Sequence, residues 1–188
     1  MESDPAEEAL VEGLQMAYSG EWGAVHAYLG HRAALPHGPD RELIVQILKD
    51  ELEHRKALLS MLHACGRAED PKRETRMNRV GRTIGCLCGI GGWFVPMYGA
   101  ARLESANIRE YEVLARLAHA AGHDEFVDEL LTLGEVEWDH EWWLRERASS
   151  HWLWRFFPKW IPPAPRESIR ERYEENSSLI PRDSSFWR

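Results

Sequence analysis

"DELEHRK", residues 50–56, lies in a stretch whose apolar residues recur at helical spacing: Ile44, Ile47 or Leu48, then Leu58 and Met61. Glu51 and His54 fall in the same row. Residues stepping by threes and fours share one face of an α-helix, and a soluble protein buries its apolar face. An unpaired carboxylate there costs on the order of several kcal/mol. A carboxylate and an imidazole one turn apart in that row therefore call for partners elsewhere in the chain.

Three other stretches carry the same interruption. Leu10, Leu14, Ala17, Glu21, Ala24 and Tyr28 form one row, and Met97, Ala100, Glu104, Ile108, Tyr111 and Ala115 form another. Phe126, Leu130, Leu133, Glu137, His140 and Leu144 form the last. Four helices packed by these faces bring Glu21, Glu51, Glu104 and Glu137 together with His54 and His140 in one core. Like charges so confined need neutralising, and two divalent cations balance four carboxylates. The chain order is Glu, Glu-x-x-His, Glu, Glu-x-x-His, which is the ligand set of dimetal carboxylate bundles. Oxygen and imidazole donors without thiolate suit iron or manganese better than a structural zinc site.

Several neighbours compete for roles. Tyr28 and Tyr111 each follow their glutamate by two turns on the same face, so each either hydrogen-bonds a metal-bound carboxylate or is an ordinary core tyrosine. Glu53 and Glu135 fall off the stripe, and Glu141 lies one turn beyond Glu137. Metal-bound histidines donate their second nitrogen to a carboxylate or carbonyl, for which Asp50 and Asp139 are the nearby candidates. The remaining histidines lack a paired spacing, and Cys86-x-Cys88 reads as packing.

Helical period dominates the chain and strand signals are nearly absent. The fold expected is all-α, a ferritin-like four-helix bundle over residues 1–149 with a C-terminal aromatic, proline-rich extension over 150–188. The helices expected are Pro5 to Ala33, Pro39 to Ala64, Val80 to Ala121 with a kink near Pro96, and Asp124 to Ser149. "RAEDPKRETRMNR" (67–79) reads as a charged connector, and Arg166 to Glu175 as a charged helical stretch before a polar tail. From Thr83 to Ala101 the chain carries no formal charge. Rich in glycine and containing Pro96, this stretch reads as a buried or membrane-touching helix rather than a span. Gly85, Gly89 and Gly92 would allow close helix packing or line a narrow apolar cavity.

Composition narrows the function. A net charge of -8 argues against nucleic acid as a partner. The acidic N-terminus "MESDPAEEAL" has no basic or apolar signal region, and three cysteines suit a reducing compartment, so a cytoplasmic location is expected. Nine tryptophans, crowded from Trp138 through Trp160 and at Trp187, favour apolar–polar boundaries at a protein interface or a membrane surface.

Four segments resemble the demethoxyubiquinone hydroxylases: "SGEWGAVHAYLG" (19–30), "DELEH" (50–54), the glycine-rich lead into "AARLESANIREYEVLARL" (100–117), and "EVEWDHEWW" (135–143). The likeness covers about residues 10 to 148. It implies a di-iron centre with Glu21 and Glu104 as terminal or bridging ligands, completed by Glu51 with His54 and Glu137 with His140. It further implies hydroxylation of a polyprenylated quinone precursor with dioxygen by a peripheral membrane protein. Members of that family carry a His before the tyrosine of the third helix, where this chain has Glu110, and the sequence after residue 150 has no counterpart among them.

The reading expected is a di-iron oxygenase that hydroxylates a hydrophobic, quinone-like or lipid-like substrate. With no flavin or nicotinamide motif, it needs an external electron donor. The alternative is a ferritin-like or rubrerythrin-like metal oxidase or peroxidase, although the chain lacks paired Cys-x-x-Cys knuckles. A binding or assembly protein that keeps the site to hold its bundle together is a third class. A homo-oligomer stays open, as does peripheral contact with the inner face of the membrane.

Overall fold

The computed structural model describes residues 4–175, so Trp187 and the polar tail lie outside the described residues. Seven helical elements and no strand occur among these residues. They are α1 (Pro5–Ala34), α2 (Pro39–Ala64), α3 (Pro71–Cys88), α4 (Phe94–Ala120), α5 (Asp124–Ser149), a short 3₁₀ helix (Trp152–Phe156) and α6 (Ser168–Glu175).

The helix ends follow local chemistry. Asp4 and Asp70 cap α1 and α3 with side-chain oxygens accepting from Ala6 N–H and Lys72 N–H, and each is followed by proline at the first helical position. α2 and α4 stop at Gly66 and Gly122, whose φ of 66° and 81° only glycine adopts without strain. There Arg67 N–H reaches Leu62 O at 2.9 Å and His123 N–H reaches Ala118 O at 2.8 Å, closing the ends as Schellman motifs.

Contacts fix the directions. Tyr28 meets Glu104 while Tyr111 meets Glu21, so α1 and α4 are antiparallel. Asp40 pairs with Arg147 and Asp50 with His140, so α2 and α5 are antiparallel as well. α2 and α4 therefore point the same way, and the chain must return between them. α3 makes that return alongside α1, with Gly81 against Gly23 and Gly85 against Gly30. The architecture is a four-helix bundle of α1, α2, α4 and α5 with one long crossover.

Two expectations need correction. The segment read as a charged connector is the first half of α3, and the single third helix is two helices. The chain breaks at Gly89–Trp93, with Gly92 at φ 65°, and does not kink at Pro96. Pro96 sits in the first turn of α4, where a missing N–H loses no helical bond. The first half of α3 hid because residues 71–79 are nearly all polar or charged, while the helix packs on α1 through Gly81 and Gly85. An added Cβ on Gly81 would lie 2.1 Å from Gly23 O. No helix of the described residues is long and apolar enough to cross a membrane.

The apolar core forms two layers. One gathers Leu10, Leu14, Leu58, Ile108, Leu114 and Leu130, and the other Ile44, Ile47, Phe94, Met97, Ala101 and Leu144. Burying each such leucine or isoleucine contributes about 1.5–3 kcal/mol. Between these layers lies the acidic one. The Trp-rich extension lies on α4 and α5: Trp154, Phe157 and Trp160 ring Tyr98, and Ile169 of α6 is fully buried in the first layer.

Candidate metal centre

All six predicted ligands converge. Glu21, Glu51, His54, Glu104, Glu137 and His140 are each at most 5% exposed. They form two overlapping groups able to hold metal ions, Glu21, Glu51, His54 and Glu137 in one, Glu51, Glu104, Glu137 and His140 in the other. Within each group the ligand atoms lie within 4.8 Å of one another. Glu51 and Glu137 belong to both.

The shared carboxylates divide their oxygens. Glu137 sets Oε1 3.0 Å from His54 Nδ1 and Oε2 3.5 Å from His140 Nδ1. Glu51 sets Oε2 3.9 Å from His54 Nδ1 and Oε1 3.7 Å from His140 Nδ1. Glu21 flanks the His54 side, with Oε1 3.7 Å from Nδ1, while Glu104 belongs to the His140 side. The arrangement is thus two shared carboxylates between two outer Glu–His pairs.

The residues present fit a pair of divalent cations. Both oxygens of Glu51 and of Glu137, Glu21 Oε2, both nitrogens of His54 and His140 Nδ1 are buried without a hydrogen-bond partner. Buried polar atoms are almost always bonded, so this concentration of orphans around one point marks a place for cations. Among these residues themselves, charge is settled by protons. Burial first, then the negative field of Glu21 and Glu137, holds Glu51 well above the usual carboxylate range, and burial with Glu137 does the same to Glu104. Burial works to lower His54 and His140, but Glu137 and Glu21 around the first, and Asp50 and Glu137 around the second, lift both imidazoles to about 10. Glu137 is held low against its burial by the two histidines. Divalent cations would take over the neutralising role of those protons.

Tyr28 and Tyr111 are linked to the centre crosswise. Tyr28, on the helix of Glu21, donates to Glu104 Oε1; Tyr111, on the helix of Glu104, donates to Glu21 Oε1. The spacing along the sequence suggested the carboxylate contact but not the exchange of partners, which follows from α1 and α4 running antiparallel. His140 Nε2 donates to Asp50 Oδ2 at 3.2 Å, and Gln46 Nε2 steadies the other oxygen at 2.8 Å. Nδ1 of His140 is thereby left facing the carboxylates. His54 Nε2 has no such partner.

The competing acids are engaged elsewhere. Asp139 meets Arg166, Glu135 meets Arg170 and Arg166, and Glu53 meets Lys56 at the surface. Glu141, fully buried, accepts from Arg145 and from Trp160 Nε1 rather than joining the cluster. Asn107 was missed: it sits one turn after Glu104 and donates to Glu104 Oε2 at 2.8 Å. Its signal was available in the Glu-x-x-Asn spacing.

A cavity of about 590 Å³ between α1, α3 and α4 reaches the centre's outer edge. Glu21, Glu104, Tyr28 and Tyr111 form its inner wall, and Ala24, Ile84, Leu87, Val95 and Leu103 are among the apolar side chains lining the rest. Glu110, also on its wall, is pushed up to about 8 by burial and by the charges of Glu21 and Glu137. In comparisons with protein-family models, with curated proteins and with solved structures, nothing matches this chain.

Proposed function

We propose that the protein is a di-iron oxygenase that hydroxylates a hydrophobic, quinone-like or lipid-like substrate. One observation carries this reading: the apolar cavity ends on Glu21 and Glu104, the outer carboxylates of the candidate centre. A centre serving only to oxidise or store metal has no use for an apolar chamber of that size, which lies in the range of small-molecule sites. The resemblance to the demethoxyubiquinone hydroxylases points the same way.

Glu51 and Glu137 would bridge two iron ions, with Glu21 and His54 completing one side and Glu104 and His140 the other. When bound, the metals supply the redox chemistry by which one dioxygen atom enters a C–H bond and the other leaves as water, with two electrons from an external donor and two protons. Tyr28, Tyr111 and Asn107 hold the outer carboxylates in place, and Asp50 holds His140. The cavity walls exclude water and orient the substrate against Glu21 and Glu104. Manganese fits the same donors.

Peripheral contact with the inner face of a membrane belongs to the same proposal. Val80, Ile84 and Leu87 on α3, with Val95 and Leu103 on α4, are 39–58% exposed beside the cavity. Arg76 and Arg79 stand next to them on α3, as anionic lipid would require. Trp152 and Phe156 add exposed aromatic surface on the extension.

The test is a single turnover. Protein from iron-supplemented cells is expected to hold about two metals per chain. Reduced anaerobically and then exposed to oxygen, it should convert a co-purified apolar compound to a product heavier by one oxygen atom. Oxidation of ferrous iron, or consumption of peroxide, with no dependence on an apolar substrate would support the metal-oxidase or peroxidase alternative instead.

A further inference from the structure

Away from the candidate centre, three donors from distant parts of the chain meet at one end of the bundle. Glu7 stands in the first turn of α1, Cys65 caps the C-terminus of α2, and His123 immediately precedes α5. His123 Nε2 lies 3.0 Å from Glu7 Oε2 and 3.8 Å from Cys65 Sγ, and the three donor atoms all fall within 4.8 Å of one another. Nitrogen, oxygen and sulfur held at about 2.0–2.3 Å around a tetrahedral ion lie roughly 3.3–3.6 Å apart. The two measured separations bracket that spacing. Glu7 is about 21 Å of helix rise from Glu21 along α1, so the group shares no residue or contact with the centre in the core.

The donors are held in place and open to solvent. The His123 ring stacks on Phe126, centroids 4.8 Å apart and planes 2° off parallel. Its Nδ1–H donates to Glu125 Oε1 at 3.2 Å, which leaves Nε2 as the coordinating nitrogen, the usual arrangement of a metal-bound histidine. Gly66 and Gly122, both in the left-handed region, fix the turns that carry Cys65 and His123. The side chains of Glu7 and His123 are 25% and 22% exposed, so an ion can reach them from water. Thiol, imidazole and carboxylate in this order also suit a cysteine nucleophile with its base. Burial first, and then the Glu7 carboxylate, push the free Cys65 thiol up to about 11, whereas a nucleophile needs it lowered. One divalent cation balances a thiolate and the Glu7 carboxylate together.

We propose that Glu7, Cys65 and His123 form a separate metal site that binds one zinc ion through carboxylate oxygen, thiolate sulfur and imidazole nitrogen, with water in the fourth position. The sulfur donor favours zinc, whereas the oxygen and imidazole donors of the core centre suit iron or manganese, so the two sites select different ions. The ion ties the start of α1 to the end of α2 and to the turn between α4 and α5, and acts there as a cross-link. This site does not rest on the oxygenase reading.

Cobalt(II), a spectroscopic stand-in for zinc, tests this on the full chain. A thiolate ligand gives cobalt a near-ultraviolet charge-transfer band that the carboxylate and imidazole donors of the core centre cannot produce. Chelator-treated protein titrated with cobalt is expected to develop this band, and added zinc to bleach it, since zinc binds such donors more tightly. Cys65→Ser, a one-atom exchange, should abolish the band although Cys86 and Cys88 remain. Glu7→Gln and His123→Ala should each raise the cobalt dissociation constant by more than about tenfold, and Glu125→Gln by about tenfold. Circular dichroism reports whether each variant keeps its helices, and Glu7→Gln, at the surface and nearly isosteric, still tests the site if another variant misfolds. A wild type that never develops the band, or a band that persists in Cys65→Ser, would overturn the proposal. So would a cobalt affinity left unchanged by Glu7→Gln and by His123→Ala. Protein that binds zinc here yet oxidises nothing would sink the oxygenase reading alone.

Discussion

Glu51 and Glu137 each turn one oxygen to His54 and the other to His140, whereas Glu21 and Glu104 each stand beside one histidine only. Their replacements should differ accordingly. Glu51→Ala or Glu137→Ala should leave almost no bound metal, whereas Glu21→Ala should retain about one of two per chain, read by elemental analysis after dialysis. Asp50→Asn keeps the shape but weakens the hold on His140 Nε2, and metal affinity on that side should fall about 10–100-fold. Competition with a chromophoric chelator measures it. An affinity unchanged by Asp50→Asn would mean that His140 needs no orienting partner.

Among the elements, α3 is held by its ends and by glycine. Asp70 accepts from Lys72 N–H and Arg73 N–H, which keep its carboxyl below the usual 3.8. A depressed carboxylate stabilises the fold above its unfolded pKa and ceases to as the pH falls through the folded value. Asp70→Ala should therefore lower stability by about 1 kcal/mol at neutral pH, with the difference vanishing in acid. Urea melts at pH 7 and below the carboxylate range resolve this. At the α1–α3 contact, Gly81→Ala drives a Cβ into Gly23 O and should destabilise by about 1–3 kcal/mol or more. Gly20→Ala, with nothing within 4 Å of the added Cβ, should instead stabilise by up to about 1 kcal/mol. Thermal melts of the two variants should move in opposite directions.

At the scale of the molecule, the acidic layer is sandwiched between two apolar ones, so metal binding there would be coupled to folding. Cations that bind only the folded bundle raise its stability by about 2.7 kcal/mol when present at a hundredfold excess over Kd. Ferrous or manganous ions added to chelator-treated protein should raise the melting temperature by about 5–10 °C for one such site, by scanning fluorimetry. No shift would mean that the cluster stays neutralised by its own protons. The exposed apolar and arginine-bearing flank of α3 predicts flotation with anionic but not neutral vesicles, reduced in a Val80→Ser, Ile84→Ser, Leu87→Ser triple variant.

The helices of the bundle and the convergence of the six predicted ligands were legible because both follow from local periodicity. A row such as Ile44, Ile47, Glu51, His54, Leu58 is set by the 3.6-residue turn, and a buried face that repeats Glu or Glu-x-x-His four times has few other uses. The first half of α3 was not legible, since residues 71–79 are nearly all polar or charged and carry no apolar stripe. Which carboxylates are shared, the exchange of partners by Tyr28 and Tyr111, and the cavity that ends on Glu21 and Glu104 were decided only by tertiary structure. These depend on helix direction and on the crossover of α3, long-range properties that one segment cannot encode. The sequence by itself determined which residues must be buried together; packing decided which atoms face one another and where the apolar cavity lies.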